Sequence, residues 1–220
     1  MMNHILNSFL NRRLLVKLSA GFLGLSLLAA TAPAFAADMA ADAFVKQLSD
    51  EVVDTIKSDK SFQASNMVKL TALVDSKVMP HVNFRRITAS AVGPGWSKAT
   101  PEQQKQLQDE FKSLLLRTYA GALSQITDQT IAVKPLRASP EDTEIVVRTE
   151  VRGKGEPIQL DYRLEKSPGV GSGWKIYNLN VMGVWLMETF RSQFSQEINA
   201  KGVDGLIATL KSRNQAMAGK

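Results

Sequence analysis

Apolar residues at Phe44, Leu48, Val52 and Ile56 recur every four positions through residues 38–57, with charged neighbours on the other side, and predict an amphipathic helix. The same period at Met67, Leu70, Leu73, Val74 and Val78 predicts a second helix, which should stop at Met79 because Pro80 disfavours helical geometry in the residue before it. Residues 84–92 predict a short helix closed by the breaker Gly93-Pro94-Gly95. Thr100-Pro101-Glu102-Gln103 then supplies a capping threonine, a proline at the first helical position and a glutamine three residues after the cap. The helix it opens is the longest predicted. Its apolar stripe is Leu107, Phe111, Leu114, Leu115, Thr118, Ala122 and Ile126, and Lys105, Gln108, Asp109, Lys112 and Arg117 fall elsewhere around the axis.

Beyond Asp128 the period shortens to two. Ile131 and Val133 begin it, followed by Ile145, Val147, Thr149 and Val151, then by Ile158, Leu160, Tyr162 and Leu164, each set alternating with polar or charged residues. Gly153-Lys154-Gly155 and the glycine-rich run 167–173 read as hairpin loops, so the strands should be antiparallel. A last strand over residues 174–182 places Tyr177, Leu179 and Val181 on one face. From Val184 the helical period returns through Trp185, Met187, Phe190 and Phe194, and Gly202 interrupts it before Leu206, Ile207 and Leu210. Helices, a four-stranded antiparallel meander and helices again define an α+β fold with its helices segregated to one side of the sheet.

The first 36 residues change the picture at one end. Arg12, Arg13 and Lys17 precede an apolar run over residues 18–30, which closes on Ala34-Phe35-Ala36, the layout of a secretory signal. The run is shorter than the roughly 18 to 20 residues needed to cross a bilayer, so cleavage before Ala37 and export are expected, leaving residues 37–220 as one domain. Three basic and no acidic side chains leave with the signal, which lowers the net charge from +6 to +3. The remaining charges are interspersed, and no nucleic-acid partner is expected. With no cysteine and only His81 left, thiolate nucleophiles and cysteine- or histidine-rich metal sites drop out, and no cofactor or metal is expected.

Catalytic groupings are thin. Asp161 and Tyr162 are adjacent on a strand and point to opposite faces. Asp75 and His81 near the end of the second helix read as a surface acid and a loop histidine. The glycines at 153, 155, 169, 171 and 173 sit between strands and not at a helix start, so they suit turns better than a phosphate cradle. What remains is an apolar sheet face carrying Thr149, Tyr162 and Tyr177, with Tyr119 beside the stripe of the long helix, a mainly apolar lining with a few polar tips. No catalytic residue is assigned, and an ordinary filled core stays open as the alternative.

The segments 92–103 (Val-Gly-Pro-Gly-Trp-Ser-Lys-Ala-Thr-Pro-Glu-Gln), 111–123, 174–184 (Trp-Lys-Ile-Tyr-Asn-Leu-Asn-Val-Met-Gly-Val), Phe190-Arg191-Ser192-Gln193-Phe194 and Gly202-Val203-Asp204-Gly205-Leu206-Ile207 together resemble the MlaC family of periplasmic phospholipid-binding proteins, also called the toluene-tolerance family. The resemblance implies a twisted sheet covered by helices, enclosing a deep apolar pocket for phospholipid acyl chains. It also implies a periplasmic carrier that moves lipid between an outer-membrane lipoprotein and porin complex and an inner-membrane ABC transporter complex, maintaining outer-membrane lipid asymmetry. By position, Val184 and Gln159 fall where the family lines or rims its pocket, and Tyr119 falls on the pocket-side helix. With the sheet face, the expected lipid-binding set is Tyr119, Ile145, Val147, Ile158, Gln159, Leu160, Tyr162, Tyr177, Leu179, Val181 and Val184. The chain departs from the family at Asn178, Met182 and Trp185, read either as lineage drift at exposed or half-buried places or as a less acidic, more apolar mouth. A hopanoid-linked branch of the same fold, a small isomerase-like enzyme on a cone-shaped scaffold and a plain periplasmic interaction module are the competing readings. The enzyme reading requires a carboxylate inside the pocket.

Overall fold

The computed structural model describes residues 39–64, 66–139 and 141–218; the expected export signal, residues 1–36, lies outside them. Helix α1 (Ala41–Ser58) forms on the four-residue spacing and buries Phe44, Val45, Leu48, Val53 and Ile56. The second pattern does not run to Met79 as one helix. Helix α2 covers only Met67–Leu73; the chain then widens into a π-helical turn over Val74–Val78 and tightens into a 3-10 turn over Met79–His81. Pro80 has no N–H to extend an α ladder, and the chain meets it by changing pitch over two turns.

Helix α3 (Phe84–Val92) is capped by Asn83, whose side chain accepts from the Arg86 N–H at 3.0 Å, and ends at Gly93 with φ of 65°. Helix α4 (Pro101–Ser124) carries both halves of its capping box: the Thr100 hydroxyl accepts from Gln103 N–H at 3.2 Å, and the Gln103 side chain accepts from Thr100 N–H at 2.9 Å. Its buried stripe follows the prediction through Leu107, Phe111 and Leu114 and then turns to Leu116 and Ala120, while Thr118 and Ala122 are exposed. The turn reflects two environments. The first half of α4 packs in a cluster with Phe84, Phe190 and Phe194, and Ala120 packs in another with Ile56, Leu70 and Leu73.

The sheet has five strands, not four. β1 (Thr130–Val133), β2 (Glu144–Arg152), β3 (Ile158–Lys166) and β4 (Trp174–Val181) pair antiparallel in sequence order, and β5 (Val184–Trp185) adds to β4 where a helix was expected to begin. Met182 and Gly183 make the reversal with φ of 52° and 87°. Positive φ at both central residues is the primed hairpin geometry, for which asparagine or aspartate before glycine is the usual signal, so a methionine there concealed the turn.

Residues paired directly across strands share a face. The register therefore builds one face from the rows Ile145–Leu164–Ile176, Val147–Tyr162–Leu179 and Thr149–Leu160–Val181, with Val184 opposite Val181. Between Arg163 and Leu164 the register slips, because Arg163 faces Asn178 while Leu164 faces Ile176. Tyr177 is the extra residue, and it joins Arg163 and Asn178 on the far face. There its hydroxyl donates to Glu144 Oε2 at 2.9 Å, under the Arg86 guanidinium 3.6 Å from the ring centre.

Helix α1 covers the first of these rows: Phe44, Val45 and Leu48 form a buried cluster with Ile145, Val147, Leu164, Trp174 and Ile176. The last helix, α5 (Leu186–Ala218), breaks at Gly202, φ 70°, as its sequence predicts. After the break, a Cβ on Gly205 would lie 2.1 Å from Lys201 Cβ, an atom at the root of its side chain that cannot swing away. Gly205→Ala is expected to destabilise the fold by about 1–3 kcal/mol, read as a lower urea midpoint at an unchanged m-value.

Candidate functional site

A cavity of about 300 Å³ lies between helix α4 and the sheet face of Tyr162, Ile176 and Leu179. Phe111, Leu115, Tyr119 and Leu123 of α4 line it at intervals of four, which stack their side chains along one side of the helix. Val74 and Val78 of the π-helical turn, with Phe84 and Ile87 of α3, close another wall. Among the described lining residues the only charged one is Lys112, and the neutral polar ones are Tyr119, Tyr162 and Asn178, the last with its carboxamide on the far face, donating to Glu188. Burial raises the phenol pKa of both tyrosines, so each remains an uncharged hydroxyl on an apolar ring. Tyr162 is fixed by a 3.3 Å hydrogen bond between its hydroxyl and that of Ser49 on α1.

Tyr119, Tyr162 and Leu179 thus line the cavity, and the rest of the expected set lies elsewhere. Ile145 and Val147 share the cavity's sheet face but lie in the buried core beneath α1. Leu160 and Val181 stand one row further along that face, half-buried, and the face ends at Ile158 and Val184, 43% and 52% exposed. Gln159 alternates to the far side, where its amide donates to Asp161 Oδ2 at 2.5 Å. Tyr177 is carried to that side by the bulge. Sequence reasoning missed Val74, Val78, Ile87 and Leu186, and it assigned Phe111 and Leu115 only to a buried stripe. The usable signal was the spacing 111, 115, 119, 123, which ties both to Tyr119.

The acid–base pairs considered from sequence have other partners. Asp161, 4% exposed, is paired across strands with Asn180 on the far face. The Asp75 carboxylate accepts from the Lys112 ammonium at 2.8 Å, and the His81 ring packs 5.4 Å from that of Phe44, where burial lowers its pKa. Among the described residues no helix is long and apolar enough to cross a membrane, and no cluster of three or more histidine, aspartate or glutamate side chains is placed to hold a metal.

A family model described as MlaC protein matches residues 46–212. The chain belongs to the MlaC family. It is 29% identical over 161 residues to the toluene tolerance protein ttg2D of Pseudomonas putida, covering 73% of this chain and 74% of that protein. It is 23% identical over 169 residues to the intermembrane phospholipid transport system binding protein MlaC of Haemophilus influenzae, covering 76% and 78%. Among solved structures it resembles the phospholipid-binding protein of Ralstonia solanacearum, determined in complex with a phospholipid, with 50% identity, a TM-score of 0.77 and coverage of 81% of this chain and 98% of that one.

Two of the segments that carry the MlaC resemblance serve the scaffold. In Gly93-Pro94-Gly95-Trp96 the first glycine adopts positive φ, a Cβ on the second would sit 3.0 Å from Ile198 Cδ1, and Trp96 is buried. In Gly202-Val203-Asp204-Gly205 the glycines permit the kink that lays Leu206, Ile207 and Leu210 into the core beside α4. At the family departures, Asn178 donates its amide to Glu188 Oε2 at 2.9 Å, Met182 is 70% exposed and the Arg163 guanidinium stacks 3.9 Å over Trp185.

Proposed function

We propose that this protein is a phospholipid carrier: its cavity shelters acyl chains from water during passage between membranes. The observation that carries the reading is the wall of that cavity, apolar apart from two neutral phenols and one ammonium, in a chain half identical to a protein whose structure holds a phospholipid. Burial is worth about 0.8 kcal/mol per CH₂, so an acyl chain of about 16 carbons would pay on the order of 12 kcal/mol to enter water unaided. A pocket as apolar as the bilayer removes most of that penalty and brings exchange near balance. Such work needs no nucleophile, metal or nucleotide in the carrier, and any energy input belongs to a partner.

In this reading residues 1–36 are a cleaved export signal and residues 37–220 act in the periplasm. The carrier exchanges lipid with an inner-membrane ABC transporter complex and an outer-membrane lipoprotein and porin complex, and so maintains outer-membrane lipid asymmetry. The half-exposed apolar face beyond the cavity, Leu160, Val181 and Val184, is assigned to the acyl chains of the loaded state. A two-chain lipid is larger than the drug-sized ligands that occupy pockets of roughly 300–1,000 Å³, so loading requires the walls around Val74, Val78 and α4 to part.

The test is the content of the protein as cells make it. Organic extraction and native mass spectrometry of the purified chain should find phospholipid at a fixed stoichiometry. A chain that emerges lipid-free and takes up no phospholipid from vesicles would overturn the carrier reading. A hopanoid as the sole occupant would replace the substrate and leave the carrier role in place.

A further inference from the structure

A second concavity, of about 520 Å³, adjoins the apolar cavity between α2 and α4. Lys112 and Leu116 line both spaces, so one strip of α4 is their common wall. The π-helical turn is the other divider: Val74 and Val78 face the cavity, and Asp75 lines the cleft.

The cleft differs in chemistry from the cavity. Lys112, Ser113, Leu116 and Arg117 lie within five residues of one another on α4 and project two cations and a hydroxyl toward Thr71 and Asp75. Lys112 pairs with Asp75, while Arg117 makes no ion pair among the described residues, and its Nε is buried without a hydrogen-bond partner. A buried guanidinium N–H left unpaired is unfavourable by more than a neutral donor would be, and such a group is open to a partner from outside the chain, a water or an anion. The charges around the cleft, Lys112 and Arg117 against Asp75, leave one positive charge uncompensated. A guanidinium fork and a mobile ammonium together match a tetrahedral oxyanion.

We infer that this cleft is a phosphate subsite, in which Arg117 and Lys112 hold the phosphodiester of a lipid whose chains occupy the adjoining cavity. The inference rests on the carrier reading above and adds where the head group sits. In the unloaded form the Asp75 carboxylate occupies the place of the phosphate on Lys112, and the lipid displaces it. The common wall explains how one ligand meets both spaces, since a molecule that is anionic at one end and apolar at the other spans Lys112 and Leu116.

The experiment loads delipidated full chain from an equimolar, detergent-dispersed mixture of dioleoyl phosphatidylglycerol and dioleoylglycerol, which differ in the phosphate-bearing head group, and reads the ratio bound by native mass spectrometry. The native chain should favour the phosphate-bearing lipid by roughly tenfold or more, as a charge-assisted contact predicts. Arg117→Gln should bring the ratio to within about threefold of unity. Asp75→Asn, an exposed change that frees Lys112, should raise the ratio, and it carries the test if Arg117→Gln does not fold. In a second arm, calorimetry with inorganic phosphate identifies the source: phosphate bound by the native chain and lost in Arg117→Gln, with the lipid ratio unmoved, assigns the subsite to the free anion. A native ratio near one, or variants that shift neither the ratio nor phosphate binding, overturns the subsite while both lipids still load. Failure to load either lipid strikes the carrier reading instead.

Discussion

Leu179→Glu should strip the purified protein of its lipid, lowering occupancy at least tenfold while the domain stays folded. Leu179 points from β4 into the cavity, half-buried, between the Tyr162 ring and α4. A carboxylate there must lose water on loading without gaining a partner, because the wall offers no nearby cation on the sheet side, and that penalty amounts to several kcal/mol. The empty cavity lets the same carboxylate keep its hydration, so the unloaded domain should melt close to the native temperature. Leu179→Ala, which shortens the wall without charging it, should keep most of its lipid. Full occupancy in the glutamate variant, measured by extraction and native mass spectrometry, would remove the cavity from the loading mechanism.

The largest effect on stability should come from Phe194→Ala. Phe194 is 1% exposed, with its ring 5.1 Å from Phe111 and 5.6 Å from Phe190, and it does not reach the cavity wall. Truncating a phenylalanine in such a cluster removes about 3–5 kcal/mol, a large share of the roughly 5–15 kcal/mol typical of a domain, and should lower the melting temperature by about 10 °C. The fraction that remains folded should carry lipid at native stoichiometry. The two substitutions separate the roles of the apolar clusters: one holds helices α3, α4 and α5 together, and the other is kept open beside them. A Phe194→Ala protein that melts normally would show that the aromatic cluster is dispensable. One that folds but loses its lipid would show that the cluster and the cavity are coupled.

Much of the fold was legible because burial repeats with the geometry of each element. The four-residue spacing of Phe44, Leu48 and Ile56 follows from 3.6 residues per turn, and the alternation in β2 and β3 follows from a pleat of two. Thr100 and Gln103 declared the start of α4 through local hydrogen bonds, and Gly202 declared the break in α5 through a φ that other residues resist. Each of these signals is complete within a few residues. The family resemblance extended them to a candidate activity and put Tyr119 on a pocket-side helix; Tyr119 is among the residues lining the cavity.

The site depended on relations that no local pattern carries. Ile145 and Leu179 read alike in the sequence, yet α1 lies over the first and open space over the second. Alternation assigns a residue to a face of the sheet and is silent about what stands opposite, so a cavity, being the place where two faces fail to meet, emerges only when both are in position. The bulge that turned Tyr177 away and the methionine turn that made β5 arise likewise from pairing across strands. The amino-acid sequence by itself determined most of the elements, their order and the apolar faces of the regular stretches, because backbone sterics and periodic burial act over short spans. Tertiary packing alone decided which of those faces would touch and which would leave room, because contact between distant segments is settled by the shape of the whole assembly.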